Sequence, residues 1–270
     1  MARYSKNCTF VDKDVRILAG SAMFTEIALR ASGEWRSNKL EKLIEEQLAS
    51  ENDINTGRYR KMREGYISND HSCKRIRKAL GSGRLKYWRD LPLWGLLSNC
   101  GYYNESIDRT LKSIHSRSRI YKYVWELSTE NTKNQSPTLA NLPQTVRIKV
   151  ADYRNLDTLL ILTAWAKETR EQNHINESSI YGHVIIRIFA YTVCRVPHLF
   201  IRWPLLVDLY RQRIWSFWRD NMSEPWHEVP SNHLIDEIYE EEKAARMQGI
   251  KLPPPHLVRL INKPYFNKLY

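Results

Sequence analysis

The chain has 270 residues, of which 42% are apolar and 27% charged, with 9 Trp and 15 Tyr. That length and balance are enough for a packed core and exclude wholesale disorder. Lys and Arg number 42 against 30 Asp and Glu, a formal charge of +12, so the surface favours polyanions such as DNA, RNA, anionic lipid or an acidic protein.

Cys8, Cys73, Cys100 and Cys194 lie far apart with no C-x-x-C pair, and the opening MARYSKNCTF has no apolar core of the signal-peptide kind. Free thiols in a reducing cytoplasm are the expectation. The longest apolar runs, 158–166 and 188–194, are bounded by Asp157 and Lys167 and by Arg187 and Arg195. They fall well short of the roughly 20 apolar residues of a spanning helix, so no membrane partner is expected.

In chain order, residues 14–31 carry apolar groups at helical spacing and end at Ser32-Gly33, where glycine can take the left-handed conformation that stops a helix. A second helix, 38–49, is expected to be capped by Ser37 or Asn38. It turns Leu40, Ile44 and Leu48 inward and its Glu and Lys residues outward. Turn chemistry at Ser50-Glu51-Asn52-Asp53 leads to two short helices, 55–64 and 70–80, separated by Gly65 and Ser68-Asn69-Asp70 and closed by Gly81. Leu91-Pro92-Leu93-Trp94 reads as an apolar strap, and 104–120 as a helix capped by Asn104 with Ile107, Leu111 and Ile114 inward.

Residues 128–144 are polar and twice broken by proline, the profile of a linker or loop. On either side, YKYVWEL (121–127) and TVRIKV (145–150) alternate with period two and are expected to pair as a small β-ribbon. The remainder predicts a helical bundle of about 153–172, 178–194, 198–220 and 231–248, then the Pro253-Pro254-Pro255 stop and a short apolar tail. The expected fold class is mainly α: an N-terminal domain over 1–127, a linker or loop at 128–144, and a helical domain over 145–270 that dimerises or binds a protein partner.

Between Arg58 and Arg89 stand eleven basic residues (58, 60, 61, 63, 74, 75, 77, 78, 84, 86 and 89) and two acidic ones, Glu64 and Asp70, so +9 of the total +12 falls in this stretch. A polyanion partner is therefore a local property. In helix 55–64, Tyr59 and Met62 set a buried direction that Tyr66 would continue. At about 100° per residue the other face holds Gly57, Arg60, Lys61 and Glu64, with Arg58 on its flank. Gly57 would let the backbone come near a partner. Helix 70–80 buries Cys73, Ile76 and Leu80 by the same construction and turns Lys74, Arg75, Arg77 and Lys78 to solvent, where they can meet phosphate.

The order of helix 38–49, turn, short helix, Gly65, turn and helix ending Ala79-Leu80 resembles the helix-turn-helix of Cro/repressor-type (Xre-like) regulators over residues 38–81. In that family the second helix of the motif enters the major groove. The resemblance maps this role onto Asn55, Gly57, Arg58, Arg60 and Lys61 and makes 1–127 a helix-turn-helix-like domain. The continuation GSGRLKYWRDLPLW is similar to a stretch of uncharacterised bacterial proteins.

No chemistry-bearing motif competes strongly. The eight histidines form no H-x-x-x-H, and His71 and Cys73, two apart, diverge on a helix, so no metal or other cofactor is expected. Asp236, Glu241 and Lys243 echo the D…E-x-K set of metal-dependent nucleases. They fall on a helix whose early acids and late Lys243 and Arg246 the macrodipole already explains. No phosphate-cradling or nucleophile-elbow glycine motif occurs, so catalysis has no positive support and no catalytic residue is assigned. In RWPLLVDLYRQRIWSFWR (202–219), Leu206, Leu209, Ile214 and Phe217 are expected in the core with arginines along its edge. The expected function is sequence-specific binding of double-stranded DNA in regulation of transcription or of a mobile element. An RNA-binding or structural adaptor is the first alternative and a metal-dependent nuclease the second.

Overall fold

The computed structural model describes residues 12–48, 57–81, 84–98, 149–150, 152–171, 175–215 and 229–269, and every regular element among them is helical. The helices are α1 (Lys13–Arg30), α2 (Ser37–Leu48), α3 (Arg58–Arg63), α4 (Asp70–Leu80), α5 (Leu85–Arg89) and α6 (Pro92–Leu96), then α7 (Leu156–Glu171), α8 (Ile175–Arg195), α9 (Pro197–Phe200), α10 (Trp203–Arg213), α11 (Val229–Met247) and α12 (Pro255–Leu269). The chain forms two compact units. One comprises Met1–Trp94, Pro197–Val207 and Lys251–Tyr270, and the other Gly95–Val196 and Asp208–Ile250. Against the expected division into 1–127 and 145–270, the first unit takes in two segments from the C-terminal half.

Several expectations need correction. Lys149 and Val150 are helical, so the second strand of the expected ribbon is not formed there. Strand preference in so short a run depends on the neighbours it finds, which periodicity does not supply. The linker 128–144, the helix 104–120 and the stretch 121–127 lie outside the described residues. The helix expected over 198–220 is divided into α9 and α10, because Pro204 has no backbone N–H and suits only a first helical turn. Leu206, Leu209 and Ile214 are buried as expected, whereas Phe217 lies outside the described residues. Residues 92–94 of the expected strap belong to α6, with Leu91 just before it, and the apolar tail is α12.

In the first unit α1 is the central element. Asp12 caps it, its side chain accepting from the backbone N–H groups of Asp14 and Val15, and Ser32 and Gly33 leave it at positive φ. Apart from its two ends it is buried on all sides, the mark of a helix with protein around it. Its neighbours are α3, α4, α5 and α9. At Gly20 the backbones meet: a Cβ there would stand 2.1 Å from the Met62 carbonyl oxygen of α3. Helix α2 supports both α3 and α4. Its Leu40 and Ile44 are buried as expected, but so are Glu41 and Glu45, which the outward-charge reading placed in solvent. Two helices covering α2 leave it a narrower wet face than one would.

Polar groups join the distant segments of this unit. The Glu26 carboxylate accepts from His198 Nε2 at 2.9 Å, from Arg30 Nε at 3.0 Å and from the Arg84 backbone N–H at 3.0 Å. Burial pushes Glu26 up, but these three donors outweigh it and hold the carboxyl at about 2, so His198 bears its proton on Nε2. The His198 ring stacks on Trp88 with centroids 3.8 Å apart, and burial lowers its basicity against the pull of Glu26. Arg202, expected at the edge of the core, is inside it. It donates to Ser21 Oγ at 3.0 Å and to the carbonyls of Arg63 and Ile261, and burial lowers its pKa to about 10. Pro264 leaves α12 one backbone donor short, and Asn262 ties this helix to the Ile201 carbonyl at 2.7 Å.

The second unit packs α8 between α7 and α11. Its core holds Trp165, Phe189 and Tyr210, with Phe189 and Tyr210 edge to face at 4.7 Å and the Tyr210 hydroxyl 2.6 Å from Thr163 Oγ1. No described helix is long and apolar enough to cross a membrane. Cys73 and Cys194 are free, buried thiols, while Cys8 and Cys100 lie outside the described residues.

Two outcomes test this packing. Gly20→Ala places its methyl against backbone that cannot swing aside, so thermal unfolding should show a loss of roughly 1–3 kcal/mol despite the better helix propensity of alanine. Stability should also fall with acid. An unfolded His198 takes up a proton near its ordinary 6.5 and the folded one resists it, so the loss begins below pH 6.5. It deepens from 4.5 towards about 2 as Glu26 is protonated. Melting temperature followed from pH 7.5 to 4.5 should decline less steeply in His198→Phe than in the parent.

Candidate nucleic-acid interface

The two short helices of the basic segment are held by their apolar sides. Tyr59 and Met62 of α3 are buried, as the spacing predicts, and so are Cys73 and Ile76 of α4, while Leu80 is half-buried. Because both helices rest on α2, their other sides face away from the packed interior. Arg60, Lys61, Lys74, Arg77 and Lys78 are exposed and Arg58 is half-buried on the flank, in line with their helical positions. Gly57 stands at the head of α3 with φ +62°, a left-handed conformation that a glycine takes without strain. Asn55 lies outside the described residues.

Arg75 departs from expectation. Instead of facing solvent it donates from Nη2 to Glu45 Oε2 of α2 at 2.7 Å, beside the buried Tyr59 ring. This charge locks α4 to its support. Tyr66 departs as well and is exposed. α3 ends at Arg63, and Gly65 at φ +100° turns the chain before a helical projection could reach residue 66. Burial pushes the Tyr59 phenol upward, in keeping with a packing role for the ring.

Two further arginines of the segment are also structural. Arg63 is half-buried, its guanidinium 5.2 Å from the centre of the Phe24 ring, and burial lowers its pKa. Arg89 is buried and pairs with Asp70 and Asp90. Arg84 and Lys86, counted in the segment but not among the expected contacts, are exposed. The segment thus sorts into arginines that hold the unit together and cations that remain in water. Asn69 caps α4, accepting from the Ser72 N–H at 2.8 Å, which fixes the register of Lys74, Arg77 and Lys78.

The acids of the nuclease alternative are not gathered. Glu241 pairs with Arg195, and Asp236 and Lys243 are exposed elsewhere on α11. Among the described residues no group of three His, Cys, Asp or Glu side chains is placed to hold a metal ion. A shallow cleft beside α8 and α11 is lined by Val184, Ile186, Arg187, His233 and Glu237, with His233 Nε2 and Glu237 Oε1 3.0 Å apart. It offers a single ion pair and little enclosure. No family model, curated protein or solved structure matches the chain.

The latch on α4 makes a measurable statement about Arg75. Arg75→Ala leaves Glu45 without this cation beside a buried phenol, so thermal unfolding should show a loss on the order of 1–3 kcal/mol. Arg77→Ala, on an exposed position of the same helix, should stay within about 0.5 kcal/mol.

Proposed function

We propose that the first unit binds double-stranded DNA through the exposed basic sides of α3 and α4. The observation that carries this reading is the sorting of charge: Arg63, Arg75 and Arg89 are engaged inside, while Arg60, Lys61, Lys74, Arg77, Lys78, Arg84 and Lys86 are left in solvent. Exposed cations of one sign on adjoining elements supply the electrostatic term of phosphate binding. The resemblance to Cro/repressor-type regulators adds direction. α2 takes the place of the first motif helix and α3 that of the reading helix, with Gly57, Arg58, Arg60 and Lys61 toward base edges and Lys74, Arg77 and Lys78 on phosphates. On this reading the protein is a sequence-specific regulator of transcription or of a mobile element. Its C-terminal half serves dimerisation or a protein partner.

The test is binding of a labelled duplex DNA, a duplex RNA and single strands at several salt concentrations. Duplex DNA should bind most tightly, and Lys74→Ala, Arg77→Ala or Lys78→Ala should each make the log–log salt slope shallower by about 0.9 whatever the sequence. Arg60→Ala or Lys61→Ala should instead reduce discrimination between sequences, a base-edge contact being worth roughly 1–3 kcal/mol. Parent-like binding by all five variants, with helical content unchanged, would remove the reading. Preference for RNA would transfer it to an RNA-binding adaptor.

A further inference from the structure

Of the three acids inside the basic stretch and at its border, Glu64, Asp70 and Asp90, one arginine meets the last two, Asp70 at the start of α4 and Asp90 just after α5. Arg89 Nη1 donates to Asp70 Oδ1 at 2.7 Å, while Nε and Nη2 donate to Asp90 Oδ1 and Oδ2 at 2.9 Å each. Nη1 also reaches the Ser68 carbonyl at 3.4 Å, in the loop that enters α4. The Arg89 side chain is 9% exposed, against 66% for Asp70 and 37% for Asp90. The cation is therefore inside and the anions outside.

A guanidinium so placed is poorly situated to touch a phosphate, yet it acts on the field that a phosphate meets. Its fork matches a carboxylate in two parallel bonds and stays charged at any working pH. Its bonds to Asp70 and the Ser68 carbonyl also tie down the entry to α4, the helix from which Lys74, Arg77 and Lys78 project. The buried guanidinium is screened by salt less than the exposed lysines around it.

We propose that Arg89 is a positioning residue of the nucleic-acid interface, which sets the start of α4 and sets a buried positive charge against the exposed acids Asp70 and Asp90. The inference rests on the first unit binding duplex DNA as described above. It separates Arg89 from Lys74, Arg77 and Lys78: they would meet phosphate directly, and Arg89 acts through Asp70, Asp90 and the Ser68 carbonyl.

The experiment compares the parent with Arg89→Met, Asp90→Asn and the double variant on one labelled duplex across a salt series, with helical content followed by circular dichroism. Asp90→Asn keeps the bonds to Asp70 and Ser68, removes one negative charge and turns one of the two acceptors of Arg89 into an amide NH2, so it should tighten binding about two-fold at low salt, the effect of one unit charge roughly 10 Å from a phosphate in water with little screening. Arg89→Met should weaken binding by at least as much while the log–log salt slope changes by much less than the 0.9 or so of a lost phosphate contact. Adding Asp90→Asn to Arg89→Met should recover about two-fold. A slope shallower by about 0.9 in Arg89→Met would make Arg89 a direct phosphate contact and overturn the proposal, as would unchanged affinity in Asp90→Asn. Should Arg89→Met not fold, Asp90→Asn alone decides. A parent that ignores the duplex at every salt concentration removes the interface itself, whereas a binding parent with an indifferent Asp90→Asn removes only the role of Arg89.

Discussion

At Gly20 the backbone of α1 runs so near the Met62 carbonyl that no side chain fits between them. Dispersion and close packing hold that contact, and no charge takes part. Much on the candidate face follows from it. α3 is only six residues long and could not persist alone in water, so its orientation is borrowed from α1 and α2. The direction in which Arg60 and Lys61 project is thus set by an apolar seam on the far side of the helix. A basic surface can be described by its charges, but here its geometry is decided by a glycine and a buried carbonyl.

The same unit shows how buried polar groups bring together residues far apart in sequence. Among the described residues Arg202 serves three neutral oxygens, on α1, α3 and α12. A guanidinium with its donors spread over carbonyls avoids the worst of the burial penalty, and burial still lowers its pKa. Glu26 and His198 do similar work between α1 and α9. With the carboxylate ionised, the imidazole tautomer is no longer free, and the stacking on Trp88 fixes the plane of the ring. Such groups specify one arrangement among several that an apolar core would accept.

Much of the helical layout was legible because its signals are local. Asn69, Gly33 and Gly81 punctuate α1 and α4 at or next to the positions their chemistry suggests, and the i, i+3 spacing of Tyr59 with Met62 and of Cys73 with Ile76 marks the buried sides. The exposed cations of α3 and α4 follow from the same periodicity. What remained hidden depends on partners distant in the chain. Nothing near Arg75 announces Glu45, 30 positions earlier, and nothing near His198 announces Glu26, 172 positions earlier. Arg89 reads as one more cation until its two aspartates are placed around it. At Lys149 and Val150 the strand signal of 145–150 misled, because alternation in six residues says only that two sides differ.

The first unit draws on Met1–Trp94, Pro197–Val207 and Lys251–Tyr270, and this has a bearing on how the chain is made. α1 is apolar on almost every side and emerges early, but the residues that cover part of it, His198 and Arg202 among them, are translated much later. At roughly 5–20 residues per second, a nascent α1 waits on the order of ten seconds or more for them. During that interval its surface invites the ribosome-associated chaperones that recognise bare apolar helices, and contacts of such long sequence separation form slowly even after release. The fold therefore makes the cover of α1 depend on segments translated well after it.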